Sequence, residues 1–136
     1  MDEMKDPKTP IEAYKAIIDN LVQEARTSIQ ASMVSKAQLW PPTAVPSKFN
    51  PLVESLSSSN RELLSEMLLD ERTGAVHDVL AELTWWILAR GVKLTFQGKP
   101  MPVELSGAGL HGDFIGRLSD GEDKWEWPSG DGNEDE

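Results

Sequence analysis

The feature that most constrains this chain is a proline-free stretch of about thirty residues, 59–90, with apolar side chains at helical spacing. Ser59 and Glu62 have the spacing of a capping box, and Gly91 is a natural stop. The stretch predicts one long helix, with a bend at Gly74. Apolar side chains occupy nearly all of its sides except the one that carries His77. Such a helix must be covered from more than one direction. A chain of 136 residues offers little cover, so we expect a homodimer.

The flanking sequence predicts three further helices and a hairpin. "TPIE" at 9–12 combines a cap, a proline at the first helical position and a capping-box glutamate, which predicts a first long helix over 10–36. Four prolines follow in a stiff connector, and then a short helix is predicted over Asn50–Leu56. Alternation in 92–105 indicates a β-hairpin, and helical spacing returns over Gly109–Leu118. The predicted fold is therefore mainly α (α+β), a small helical bundle with two long helices, a short C-terminal helix and one hairpin.

Charge divides the chain into parts. The net charge is −10, and residues 119–136 hold eight acids and one base. We expect a frayed N-terminus over 1–8, a single globular domain over 9–118 and an acidic tail over 119–136, partly anchored by Trp125 and Trp127. The tail is most simply a solubilising segment, and binding of a basic partner is the alternative.

Several classes of function are disfavoured by composition. No basic stripe exists, which argues against nucleic-acid or anionic-membrane binding. No apolar run is long enough to cross a membrane, and the charged N-terminus does not resemble a secretory signal. Cysteine is absent, which excludes disulfides and thiolate sites and fits a cytoplasmic location.

The segment "SGAGLHGDFIGRL" contains the spacing G-x-G-x-x-G at Gly107, Gly109 and Gly112. A dinucleotide site needs this turn inside a parallel βαβ unit of ~30 residues. Only 24 residues follow Gly112, most of them in the acidic tail. We interpret the glycines as one smooth face of a helix that lies close to another backbone. Asp113 and Arg117 have the spacing of a local ion pair on that helix.

Two interpretations of the polar residues on the long helix stay open. Glu71, Asp78 and Glu82 fall on one line between two apolar surfaces when each residue advances ~100°. They either border the core and pair with Arg72, Arg90 or Arg117, or form a carboxylate cluster that binds a divalent cation, with His77 or His111 assisting. The two histidines alone are too few for a metal site without cysteine. His77 is expected on a solvated polar strip, together with Glu66, Asp70, Thr73 and Thr84.

The sequence therefore predicts two different functions. The first is a small cytoplasmic, non-enzymatic protein-interaction module, expected to be homodimeric and to have no cofactor. Five tryptophans in 136 residues support it, with Trp85, Trp86, Trp125 and Trp127 as interface candidates. The alternative is a metal-dependent hydrolase whose divalent cation is held by Glu71, Asp78, Glu82 and His111.

Overall fold

The computed structural model describes residues 6–120. Within that range the chain forms five α-helices, a short 3-10 segment and one hairpin. The elements run α1 (Pro10–Arg26), α2 (Ile29–Ser35), the 3-10 segment (Val45–Phe49), α3 (Asn50–Ser55), α4 (Ser58–Arg90), β1 (Thr95–Phe96), β2 (Lys99–Pro100) and α5 (Gly109–Asp120). The mainly α fold with one hairpin is confirmed.

These elements group into two compact units. Residues 24–75 form the middle unit, and the chain on either side of it, described here over 6–23 and 76–120, forms the terminal unit. Helices α1 and α4 both continue from one unit into the other. The prediction of a single domain over 9–118 stays a prediction.

Helix α1 begins as predicted and ends earlier than predicted. The Thr9 hydroxyl accepts the Glu12 N–H at 3.2 Å, and the Glu12 carboxylate accepts the Thr9 N–H at 3.3 Å, which is a complete capping box. The expected single helix over 10–36 is wrong, because Ser28 is extended and its side chain caps a new helix by accepting the Ala31 N–H at 3.1 Å. A local serine cap therefore outcompetes the continuous apolar spacing.

Helix α4 is unbroken through Gly74 and ends at Arg90. Its first turn is capped by Ser57, whose hydroxyl accepts the Asn60 N–H at 3.2 Å, so the predicted cap at Ser59 is two residues late. Gly91 follows with a positive φ of 75°, the left-handed conformation typical of a helix stop.

The hairpin is shorter than the alternating pattern suggested. Phe96 pairs with Lys99 and Thr95 with Pro100 in antiparallel register. Gln97 and Gly98 form the two-residue turn, both with positive φ, as the favoured hairpin turns require. Pro100 has no N–H to donate, but its position opposite Thr95 requires none, and beyond it the Met101 N–H donates to the Leu94 carbonyl at 2.9 Å.

The terminal unit has its own apolar core. Helix α1 contributes Ala13, Tyr14, Ile18 and Val22, α4 contributes Leu80, and the loop and helix after the hairpin contribute Leu105, Leu110 and Phe114. Burial of a large apolar side chain stabilises the fold by about 1.5–3 kcal/mol. The core thus joins α1 to α5 across almost the whole sequence.

The middle unit is smaller and fastened largely by polar contacts to backbone. Its buried apolar side chains are Ala25, Ala31, Val34 and Val53. The Ser65 hydroxyl donates to the carbonyl of Ala31 at 2.8 Å and so ties α4 to α2. The Asn50 side chain bonds both the N–H (3.0 Å) and the carbonyl (2.9 Å) of Trp40, which fixes the proline-rich connector.

In the part of the chain that the structure describes, none of the helices is long and apolar enough to cross a membrane.

Candidate functional site

A buried carboxylate, Asp113 of α5, is the centre of the polar structure in the terminal unit. Its side chain has no exposed surface. It accepts hydrogen bonds from the Tyr14 hydroxyl of α1, from the backbone N–H groups of Leu105 (2.8 Å) and Ser106 (3.0 Å), and from the Ser106 hydroxyl. One side chain thus fastens α1 and the loop before α5 to the same helix.

Tyr14 is the partner most affected by this environment. Its side chain is 1% exposed, and its hydroxyl bonds to Asp113. Burial disfavours the phenolate and raises the pKa of Tyr14 well above its usual range, and the hydrogen bond and negative charge of Asp113 add to the effect. The hydroxyl therefore stays protonated and acts as a fixed donor.

Arg117 lies one turn after Asp113 on α5, but each residue has its partner elsewhere. The Arg117 Nε donates to the Asp19 carboxylate of α1 at 2.9 Å, and the Arg117 side chain is 8% exposed. The predicted local pair between Asp113 and Arg117 is wrong, since both groups point toward α1 and connect segments about a hundred residues apart.

The glycine-rich start of α5 fits closely against α4. Gly109 has a positive φ of 82°, and a Cβ added there would lie 2.8 Å from Cγ2 of Thr84. The Thr84 hydroxyl accepts the N–H of Leu110 at 3.1 Å, and the Glu104 carboxylate accepts the N–H of Gly109 at 3.1 Å. The close approach at Gly109 is to the side chain of Thr84 rather than to another backbone as expected, and the first amides of α5 are occupied by protein groups. This segment lies after a short antiparallel hairpin, in a context unlike the parallel unit of a dinucleotide site.

The side chains of the two histidines are in contact, although the residues are distant in the sequence. The rings of His77 on α4 and His111 on α5 are 5.3 Å apart in an edge-to-face arrangement. His77 Nδ1 lies 3.0 Å from the Asp78 carboxylate, and the buried His111 Nδ1 has no hydrogen-bond partner.

The prediction of a solvated polar strip on α4 is wrong for one of its residues, Thr84. Thr84 is buried at 5% exposure, because it bonds α5.

The predicted acidic line is exposed in both units, and in the terminal unit Asp78 and Glu82 lie away from the buried side of α4. Glu71, Asp78 and Glu82 are exposed, whereas Leu80 and Thr84 are the buried residues of the same helix. Glu82 accepts the indole N–H of Trp86 at 2.9 Å, and Asp78 contacts His77. Among residues 6–120, no group of three or more His, Asp or Glu side chains is placed to hold a metal ion.

The arginines expected to pair with the acidic line have other contacts. Arg72 lies 3.7 Å from Glu24, and Arg117 bonds Asp19. The guanidinium of Arg90 stacks over the rings of Trp85 and Trp86, at 5.3 and 6.0 Å from their centroids.

The terminal unit exposes several large apolar side chains along α4. We call this surface the α4 face: Trp85 (48% exposed) and Trp86 (43%) form its middle, and Val79 (66%) and Leu88 (63%) form its two edges, since nine residues at ~100° each place them on opposite sides of the helix. Trp85 and Trp86 pack edge to face at 5.4 Å. Val79, Leu83 and Trp86 surround an open depression of about 480 Å³, with Asp78 and Glu82 also lining it.

The buried cluster and the exposed face suit different roles. The groups around Asp113 are bonded to one another and buried, so they are suited to holding α1, α5 and the intervening loop together. The α4 face is accessible and combines two tryptophans with an arginine, residue types that are enriched at the energetic centres of binding surfaces. The candidate functional site is therefore the α4 face. Trp85 and Trp86 of the predicted interface lie on it, and Trp125 and Trp127 lie outside the described residues.

The fold and the surface together define a small, mainly helical protein. Buried hydrogen bonds hold the helices of its terminal unit together, and one helix of that unit has an exposed apolar face. The chain belongs to a family of unknown function (DUF6547), which it matches over residues 7–129. No curated protein and no solved structure matches it.

Proposed function

We propose that the protein is a cytoplasmic, non-enzymatic interaction module that forms a homodimer by packing the α4 face of one copy against the α4 face of another. The observation that carries the proposal is the exposure of four large apolar side chains within ten residues of one helix, each between 43% and 66% exposed.

The size of this surface supports self-association. A large side chain that is about half exposed presents on the order of 100 Å². The four residues of the α4 face therefore present roughly 400 Å². A standard interface takes ~800 Å² from each partner, of which ~57% is apolar. The apolar area of the α4 face is thus close to what one partner contributes to a standard interface.

The charges on the α4 face support a pairing in which cations meet acids. Asp78 and Glu82 lie among its apolar residues, and Arg90 covers the two tryptophans. A symmetric pairing uses the same residues on both copies. Arg90 of each copy can then approach the acids of the other, which offsets the repulsion between two acidic lines. The cytoplasmic location rests on the absence of cysteine.

A matched pair of valine substitutions tests the proposal. Val79 is 66% exposed on the α4 face, and Val45 is 80% exposed in the 3-10 segment of the other unit. Val79→Glu buries a carboxylate in the interface and is expected to weaken dimerisation by ~2 kcal/mol or more, about thirty-fold. Val45→Glu adds the same charge outside the face and is expected to leave the dissociation constant within about two-fold of wild type.

Sedimentation velocity over a concentration series measures the dimer dissociation constants of the wild type and of the two variants. Equal effects of the two substitutions would show that net charge rather than the α4 face controls association. A wild-type protein that stays monomeric would remove the homodimer and leave a different protein as the occupant of this face.

A further inference from the structure

The middle unit contains an open cleft of about 1000 Å³, which the dimer proposal does not use. It lies between the end of α1, helix α2 and the first half of α4. Its volume is in the range of small-molecule sites, ~300–1000 Å³. Every residue that lines it belongs to the middle unit.

The charge of the cleft is opposite to that of the chain. Three basic residues line it, Arg26, Lys36 and Arg72, against one acid, Glu24. The chain as a whole carries −10. A local concentration of cations on an acidic protein attracts anions to one place while the rest of the surface repels them.

The cleft also offers hydrogen-bonding groups held on packed elements. Arg72 Nε donates to the carbonyl of Glu24 at 2.7 Å, which holds the guanidinium at the wall. The Ser65 hydroxyl bonds the Ala31 carbonyl and keeps α2 against α4. Hydroxyl and amide side chains make up much of the remaining lining, namely Thr27, Ser28, Gln30, Ser32, Ser35 and Gln38.

From these observations we propose that the cleft is a binding site for a small multivalent oxyanion, bound by Arg26, Lys36 and Arg72. Guanidinium groups bind phosphate and carboxylate oxygens with paired, charge-assisted hydrogen bonds. Neutral hydroxyl and amide donors complete the coordination of the remaining oxygens. The shared chemistry is that of phosphate-bearing and carboxylate-bearing molecules, and the test below separates the two sources.

Isothermal titration of the full chain with pyrophosphate, and separately with citrate, tests the proposal against sodium chloride at matched ionic strength. Saturable binding of either probe supports it, and the preferred probe assigns the group that is recognised. Absence of saturable heat with both probes overturns it.

Two lysine substitutions localise the site. Lys36 is exposed at the end of α2, and Lys99 is exposed in the hairpin of the other unit. Lys36→Glu is expected to weaken binding at least about five-fold, as loss of ~1 kcal/mol from one exposed charge pair implies. Lys99→Glu changes the net charge equally and is expected to change affinity less than two-fold. Equal weakening by both variants would mean general electrostatic attraction and overturn the site.

Arg72→Gln provides a second, stronger perturbation. We expect binding to weaken at least about ten-fold, because a side chain that contacts the anion directly loses its charge and its paired donors. Circular dichroism checks that the variant is folded. Because Lys36 is exposed, we expect Lys36→Glu to fold, and its affinity for the anion tests the site even if Arg72→Gln unfolds. Retained affinity in both variants contradicts the proposal.

Discussion

Raising the pH should destabilise this protein through one identifiable group, Tyr14. An unperturbed tyrosine titrates near ~10. In the folded protein the phenol is 1% exposed and donates to the buried Asp113, so its pKa lies well above that value. The folded state therefore keeps a proton that the unfolded state releases.

The size and sign of the effect follow from proton linkage. A group whose pKa is raised in the folded state contributes its full stabilisation below the unfolded pKa, ~10. That contribution is lost as the pH rises toward the folded pKa. In this window the free energy of unfolding falls by up to about 1.4 kcal/mol per pH unit, or about 2.3 kcal/mol between pH ~10 and ~12. A small domain has only ~5–15 kcal/mol in total, so the loss is readily measured.

The chain has a single tyrosine, so the near-ultraviolet absorbance of tyrosinate reports Tyr14 alone. We expect this absorbance to rise together with the loss of helical circular dichroism. Urea unfolding of wild type and Tyr14→Phe at pH ~10 and ~11 isolates the contribution, because lysine titration is common to both proteins. The free energy of unfolding of wild type, relative to that of Tyr14→Phe, should decrease by about 1 kcal/mol or more between pH ~10 and ~11. Tyrosinate that forms with a midpoint near ~10 in a fully helical protein would refute the reasoning.

Three further substitutions test the packing around α5 by urea unfolding. Asp113→Asn replaces one carboxylate oxygen by a donor and leaves one backbone N–H without an acceptor, which should cost about 2–4 kcal/mol. Smaller loss than in Tyr14→Phe would contradict the central place given to Asp113. Gly109→Ala combines a left-handed backbone with a contact of 2.8 Å to Thr84 and should cost at least ~1–2 kcal/mol. Its control, Gly74→Ala, places a methyl group in open space in mid-helix and should raise stability by up to ~1 kcal/mol; equal effects of the two glycine substitutions would refute the close approach.

Local signals in the sequence predicted the elements well. The capping box at Thr9 and the glycine stop at Gly91 are short-range features, and each depends only on neighbouring residues. The break at Ser28 was missed because a serine inside an apolar helical pattern has two available uses, and the sequence does not show which one packing selects.

Contacts between distant residues could not be predicted from spacing. Asp113 has an arginine four residues later, so the local pair was the natural expectation, yet its main side-chain partner lies 99 residues away. The histidine contact depends in the same way on how α5 packs against α4. The apolar character of α4 was visible in the sequence, but which side would stay exposed depends on where α1 and α5 bind.

The central claim is that the α4 face joins two copies of the chain. Static light scattering of the unmodified protein, across concentrations that reach the high micromolar range, tests it most directly. We expect a mass that approaches twice the 15.1 kDa of one chain. A mass of 15.1 kDa at every concentration would contradict it.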